Sequence, residues 1–301
     1  MLTRCPITVF GEVLFDCFPD GQEVLGGAPF NVAWHLRGFG LAPCFISRVG
    51  TDRRGEAIRS AMTSWGLDPS YLQTDPSCPT GRVAVTFEDG EPHYEIVPGS
   101  AYDVIQSEGF SQLPASDLLY HGTLALRHSA SAAALAALKA RHGGKIFLDV
   151  NLRSPWWSPE SVLPLVDDAD HVKLNAAELA LLTSEDLAEA NGASLVASMD
   201  RFARRHQLET LILTRGALGA LVWRDGESVS VGPAACTHVV DTVGAGDGFA
   251  AAFLLGLSQQ WPLLASLKHA RDFAGALVSR RGATIDDPSV YEQFLTSWSS
   301  S

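Results

Sequence analysis

A chain of 301 residues with 46% hydrophobic and 19% charged side chains has the material for a substantial core and is not a disordered composition. Its net charge of −12, with no run of Lys or Arg longer than two, argues against nucleic acid and anionic membranes as partners, though a local site could still take an anionic small substrate. No stretch approaches the roughly 20 apolar residues of a membrane span. Ile7 to Phe10 is too short for the apolar run of a signal peptide. The five cysteines (Cys5, Cys17, Cys44, Cys78, Cys236) are scattered and lack metal-ligand spacing, so reduced thiols in the cytoplasm are expected.

Ile7 to Asp16 reads as a first strand, followed by a turn toward Asp20-Gly21. Gly26-Gly27 then opens a helix through Leu36, with Pro29 suited to its first turn. Phe45 to Gly50 is a strand, and Asp52 to Trp65 a helix stopped by Gly66. Gly81 to Phe87 and His93 to Val97 alternate around the turn Glu88-Asp89-Gly90-Glu91-Pro92, which is a β-hairpin signature. This hairpin interrupts a β-α-β-α pattern. It is either a lid or dimer edge, or an ordinary edge hairpin. Leu118 to Gly122 is a short strand and Ser129 to Arg141 a helix. Lys145 to Asn151, His171 to Asn175 and Thr210 to Thr214 are buried strands. Ala220 to Trp223 and Ser228 to Val231 form a hairpin around Asp225-Gly226. The last part is helical, over Phe249 to Ser258, Pro262 to Arg280 and Ser289 to Trp298. Strands alternating with helices predict an α/β fold with a mostly parallel central sheet flanked by helices on both faces. Ligands bind such sheets beyond the carboxyl ends of the strands, where Asp149, Asn151, Arg153 and Asn175 fall.

One stretch organises the chemistry. Asp241-Thr242-Val243-Gly244-Ala245-Gly246-Asp247-Gly248-Phe249 leads from a loop into an apolar helix. A glycine-rich helix start presents free N–H groups and the positive end of the helix dipole, which is an anion site. Asp247 places a carboxylate inside it. A capping Asp would be ordinary there. Donors aimed at developing negative charge, with a carboxylate able to take a hydroxyl proton, are what phosphoryl transfer needs. The chain has neither a G-x-x-x-x-G-K-[ST] loop nor a G-x-G-x-x-G opening, which disfavours a dinucleotide enzyme.

That stretch resembles the C-terminal signature of the ribokinase-like (PfkB-type) sugar kinases. Gly26-Gly27-Ala28-Pro29-Phe30-Asn31-Val32-Ala33 resembles the family's N-terminal glycine-pair motif in the form typical of the fructokinase branch. Gly50-x-Asp52-x-x-Gly55, Asn175-x-x-Glu178, Thr214-x-Gly216-x-x-Gly219 and Arg280-Arg281-Gly282-Ala283 fit as well. The likeness spans roughly Thr8 to Ile285.

The resemblance implies a single ribokinase-like domain over 1–301, with a small β-sheet lid formed by part of 12–24 and the hairpin 81–97. It implies transfer of the γ-phosphoryl group of ATP, with Mg²⁺, to a sugar hydroxyl. Asp247 would accept the hydroxyl proton, and Gly244, Ala245 and Gly246 would form the anion hole. Asp16, Gly27, Asn31, Asn151 and Arg153 would bind the sugar. Asn175, Thr214, Gly216 and Gly219 would line the ATP site. Glu178 would hold Mg²⁺ through water, and Asp241, with the region around Gly282-Ala283, a monovalent cation such as K⁺. Taken singly, Glu178 would pass for a solvated helix carboxylate and Asp241 for a turn residue; Arg215 is equally a phosphate contact or solvated. The Gly-Gly motif and Gly99-Ser100-Ala101-Tyr102-Asp103 suggest fructose, with fructose 6-phosphate as product. Tyr94-Glu95-Ile96-Val97 carries no base to meet an acid sugar's carboxylate, so a neutral sugar is expected over 2-keto-3-deoxygluconate. Arg271 and Phe273 depart from the usual residues beside adenine and leave the nucleotide preference open. Kinases of ribose or a nucleoside, and a non-catalytic sugar-binding protein, are the competing readings. The hairpin is equally consistent with a homodimer edge and with a lid over its own subunit.

Overall fold

The computed structural model describes residues 5–88, 91–187, 192–235 and 238–299, so Cys236 and the Asp89-Gly90 tip of the predicted hairpin lie outside the described residues. The apolar run at the start does not make one strand. β1 (Ile7–Phe10) ends at Gly11, whose φ of 152° is closed to most side chains, and a Cβ there would overlap Pro29. After Glu12 and Val13 the chain re-enters extended structure in a different sheet, as β2 (Leu14–Cys17) and β3 (Glu23–Gly26). α1 (Ala28–Gly38) follows, with Pro29 in its first turn. β4 (Cys44–Gly50) leads to α2 (Arg53–Trp65), capped by the Asp52 carboxylate on the Gly55 N–H at 3.0 Å and stopped by a left-handed Gly66. β5 (Leu72–Asp75) is short, and its sequence LQTD carries no strand signal.

The predicted hairpin is β6 (Gly81–Glu88) and β7 (Glu91–Ile96). 3₁₀ turns at Ala101–Val104 and Phe110–Gln112 precede β8 (Leu118–His121), and one at Leu124–Arg127 follows it. Then come α3 (Ser129–Lys139), β9 (Lys145–Asp149), α4 (Pro159–Asp167), β10 (His171–Asn175), α5 (Ala176–Thr183), α6 (Gly192–Arg205) and β11 (Thr210–Thr214). β12 (Ala220–Arg224), β13 (Glu227–Val231), α7 (Ala245–Ser258), α8 (Leu263–Leu277) and α9 (Pro288–Trp298) complete the chain.

Among the described residues the strands form a nine-stranded sheet, in the order β13-β12-β11-β10-β9-β8-β1-β4-β5, and a separate four-stranded sheet, β3-β2-β6-β7. The large sheet is parallel from β11 to β5, and β12 and β13 are antiparallel at its edge. Side-chain alternation sends neighbours to opposite faces. Phe147 and Ile212 join a core with Phe30, Phe253, Phe273 and Tyr291, contributed by α1, α7, α8 and α9. Leu148, Leu211 and Leu213 join another with Val162, Leu179 and Phe202, from α4, α5 and α6. Helices therefore cover both faces, as expected from the strand–helix alternation. Parallel pairing also brings the carboxyl ends of β1, β8, β9, β10 and β11 to one edge. The chain order reverses between β1 and β8, the kind of crevice where open α/β sheets bind ligands.

Candidate active site

α7 begins at that edge. Its N-cap Gly244 is left-handed, with φ 77°, and a Cβ there would overlap Ala283. Ala245, Gly246 and Asp247 are the first three residues of the helix. The Ala245 N–H closes a turn on the Thr242 carbonyl at 3.4 Å, and that of Gly248 bonds the Gly244 carbonyl at 2.9 Å. Gly246 and Asp247 have N–H groups with no helical carbonyl one turn back, and Gly246 is exposed. The donors for an anion thus lie at the second and third positions of the helix more than at Ala245.

Asp247 stands among these donors, half-buried by area. Its Oδ2 accepts a 2.8 Å hydrogen bond from Nδ2 of Asn31, which is buried in the first turn of α1. Burial raises its pKa to about 6, helped by the charge of Asp149; the Asn31 bond, Lys173 and Arg153 pull the other way. A carboxylate poised near neutrality can take a proton from a hydroxyl and give it up again.

Beneath the turn is a buried ion pair. Asp149 and Lys173 are register partners on β9 and β10, and both point to the α7 face of the sheet. Lys173 Nζ lies 2.9 and 2.8 Å from the two Asp149 oxygens, and Tyr120 donates to Oδ2 at 3.2 Å. The ammonium also lies 3.6 Å from where a Gly246 Cβ would be. Burial works against the charge on Lys173, but Asp149, with Glu178 and Asp247 beyond it, keeps its pKa above the usual value. The Lys173 ammonium thus sits directly under the glycine-rich turn.

Around this centre lie the other predicted residues. Gly27 is the N-cap of α1 and abuts the Glu12 carbonyl, 2.8 Å from where its Cβ would be. Asp16 lies on β2 of the small sheet, half-buried; burial raises its pKa and Arg153 opposes the rise. Asn151 and Arg153 follow β9, and the field of the exposed Arg153 reaches Glu12, Asp16 and Asp247. Asn175 caps α5 by accepting from the Glu178 N–H at 2.9 Å. Glu178 answers with Oε2 on the Asn175 N–H and Oε1 on the Leu152 N–H, both at 2.8 Å, tying α5 to the loop of Asn151 and Arg153. Thr214 ends β11, with Gly216 and Gly219 in the turn beyond it, where Arg215 folds back onto the Leu218 carbonyl. Asp241 accepts from Val243 N at 3.0 Å and Gly282 N at 3.1 Å, so the two predicted parts of a cation site are adjacent. Phe273 is buried in the aromatic core and Arg271 pairs with Asp272.

Residues 16–290 match the family model described as pfkB family carbohydrate kinase. The chain belongs to the PfkB family of carbohydrate kinases. A fructokinase of Klebsiella pneumoniae is 33% identical to it over 267 residues, 84% of each chain. A crystal structure of fructokinase from Vibrio cholerae O395, in a fructose, ADP and calcium ion bound form, superposes with a TM-score of 0.80 at 26% identity, covering 96% of this chain and 98% of that one. A doubly substituted form of the same protein, bound to fructose, ADP and potassium ion, gives 0.81 at 25%, covering 97% and 99%.

Three features of this kinase were not singled out from its sequence. Lys173 lies between Val172 and Leu174 in a buried strand, and Glu12 is buried one residue beyond the Gly11 that ends β1; a charge inside a buried strand and a charge just past a strand end were the available signals. The third is Arg127, paired with Asp103 at 2.7 Å with both side chains buried. No helix among the described residues is long and apolar enough to cross a membrane. Nor do the described residues include three or more His, Cys, Asp or Glu placed to hold a metal ion together. Magnesium suits such a site when it arrives on the phosphates of a nucleotide, with few protein ligands. Glu178 fits a contact through water, since each of its oxygens has accepted one N–H and keeps a second lone pair.

Proposed function

We propose that the protein is a fructokinase that transfers the γ-phosphoryl group of ATP to the 6-hydroxyl of fructose, giving fructose 6-phosphate. The observation that carries the reading is Asp247, held by Asn31 at the glycine-rich start of α7. The hydroxyl proton passes to Asp247, the freed oxygen pair forms the bond to the γ-phosphorus, and the bond from that phosphorus to the bridging oxygen breaks, releasing ADP. In the Gly244-Ala245-Gly246 turn the N–H groups of Gly246 and Asp247, with Lys173 beneath, stabilise charge on the transferring group. Mg²⁺ would supply further neutralisation of the phosphate charge, with Glu178 reaching it through water. Asn175, Thr214, Gly216 and Gly219 line the nucleotide side; Asp16, Gly27, Asn31, Asn151 and Arg153 bind the sugar. Asp241 and the Gly282 loop hold a monovalent cation such as K⁺.

A neutral sugar is favoured because the buried guanidinium near Val97, that of Arg127, is already matched by Asp103. The chain works as one kinase domain in the cytoplasm. The small sheet acts as its lid, and the free edge of β7, where Tyr94 is exposed, is where a second copy would pair. Sedimentation of the purified protein tests the dimer. ADP release measured with fructose, ribose, 2-keto-3-deoxygluconate and adenosine tests the substrate. Fructose should be turned over with the highest kcat/KM, and preference for the acid sugar or the nucleoside would overturn the assignment.

A further inference from the structure

Glu12 lies in the three-residue passage between the two sheets. Its side chain is 3% exposed, and its Oε2 has no hydrogen-bond partner among the described residues. Two other buried polar atoms in that neighbourhood are poorly satisfied: Arg127 Nη1 has no partner among the described residues, and the Tyr102 hydroxyl has only an ill-aligned contact with Ser100. The three side chains act on one another electrostatically. The Tyr102 ring and the carbonyl of Val13, next to Glu12, both crowd the Cβ position of Gly81, at 2.5 and 2.9 Å. Arg127 is fixed by everything except Nη1. Its Nε and Nη2 donate to Asp103 at 2.7 and 2.9 Å, Nη2 also donates to the Val97 carbonyl at 2.9 Å, and the guanidinium stands 5.1 Å from the Tyr102 ring centre and 4.6 Å from that of Trp156.

Buried polar atoms are nearly always hydrogen-bonded, and three poorly satisfied ones in one place call for a common cause. The set comprises a carboxyl oxygen, a phenol and a guanidinium N–H. A sugar hydroxyl, which donates once and accepts twice, complements it. The cluster also lies beside the site of phosphoryl transfer, because the Glu12 carbonyl abuts Gly27, the N-cap of the helix whose Asn31 holds Asp247.

We propose that Glu12, Tyr102 and Arg127 form a second polar wall of the sugar cleft, where Glu12 hydrogen-bonds a sugar hydroxyl remote from the one that is phosphorylated. The proposal rests on the sugar-kinase reading and deepens it by naming what selects the sugar. Burial raises the Glu12 pKa to about 7, so near neutrality its carboxyl can accept or donate. A site built to bond a hydroxyl rejects the analogue that lacks it, because its own buried groups are then left unpaired.

The test uses the full chain, with fructose and its 1-, 3- and 4-deoxy analogues as substrates for the wild type, Glu12→Gln and Tyr102→Phe. Glu12→Gln should raise KM for fructose at least tenfold with a smaller change in kcat. One deoxy analogue should be a correspondingly poor substrate for the wild type, and Glu12→Gln should worsen it no further. Equal penalties on every analogue, or a fall in kcat at unchanged KM, would overturn the proposal. If Glu12→Gln does not fold, Tyr102→Phe decides, because it removes one hydroxyl from the cluster without altering charge; the same analogue should then lose part of its handicap relative to fructose, and an unchanged ratio refutes the wall. If the wild type turns over another sugar in place of fructose, the fructose assignment fails, and deoxy analogues of that sugar test Glu12 in the same way. Turnover of no sugar overturns both.

Discussion

Replacing Asp247 by Asn should abolish most of the activity and yet stabilise the fold. The new side chain has nearly the same shape, and its carbonyl can still accept the bond from Asn31. What disappears is a carboxylate whose pKa the folded protein raises from 3.8 to about 6. At about 1.4 kcal/mol per decade, that rise makes the charged form about 3 kcal/mol less favourable in the native state. Because the side chain is half-buried, solvent screening trims this to about 2 kcal/mol. A group whose folded pKa is raised contributes stability below its unfolded pKa and loses it as pH rises through the folded value. The variant and wild type should therefore melt together below about pH 4 and part above about pH 6, with Asn the more stable by about 3 °C for a chain of this length. Turnover at pH 8 should fall by about 10²–10⁴, the share of a general base. In the wild type, kcat/KM should decline as pH drops through about 6, as Asp247 takes up its proton. Scanning calorimetry across pH, with kinetics on the same samples, makes the comparison. Near-normal turnover, or a variant less stable than wild type at pH 8, would refute the reasoning.

Lys173→Met leaves the Asp149 carboxylate buried without its partner and should cost about 3–5 kcal/mol in urea unfolding; adding Asp149→Asn should restore most of the loss, and additive effects would contradict the pair. Gly244→Ala forces a left-handed residue against Ala283, with a strain of about 1–2 kcal/mol from the backbone alone. Its Tm and kcat should both fall, and an unchanged kcat would separate the turn from catalysis. Glu178→Gln keeps one oxygen where two N–H groups are held. A several-fold rise in the Mg²⁺ concentration for half-maximal activity is expected at fixed ATP, and an unmoved titration would remove Glu178 from the nucleotide's surroundings.

Much of the architecture was legible because its signals are local. α2 matches its predicted limits since Asp52 and Gly66 are its cap and its stop, and both act within one turn. α7 starts at Ala245, four residues before its expected start at Phe249, because left-handed Gly244 is its cap and the glycine-rich stretch forms its first turn. The opening strand was misjudged for a physical reason. Apolar residues resume at Val13 after only Gly11 and Glu12, so β1 and β2 read as one strand, while the change of sheet depends on the backbone at Gly11 and its contact with Pro29. β3 and β5 are four residues each and take their shape from neighbouring strands. In the site, the motif residues could be named from spacing. The Lys173–Asp149 pair could not, because it depends on register between β9 and β10. Glu12 and Arg127 escaped likewise, since their relation exists only once the small sheet and the 3₁₀ turns meet.

α1 has a further consequence for how the enzyme comes into being. Its side chains bond residues near the far end of the chain: Asn31 to Asp247, Trp34 to the Ile285 carbonyl at 2.8 Å, and His35 to Tyr291 at 2.8 Å. At a ribosomal pace of about 5–20 residues per second, those partners emerge on the order of 10–50 s after α1. Until then the face carrying Phe30 and Trp34 has no α7, α8 or α9 to cover it. Such long-range closure slows folding and leaves apolar surface open to misassociation in the interval. The Asp247 carboxylate is thus oriented only near the end of synthesis, and an amino-terminal fragment of this chain is an aggregation hazard before it is an enzyme.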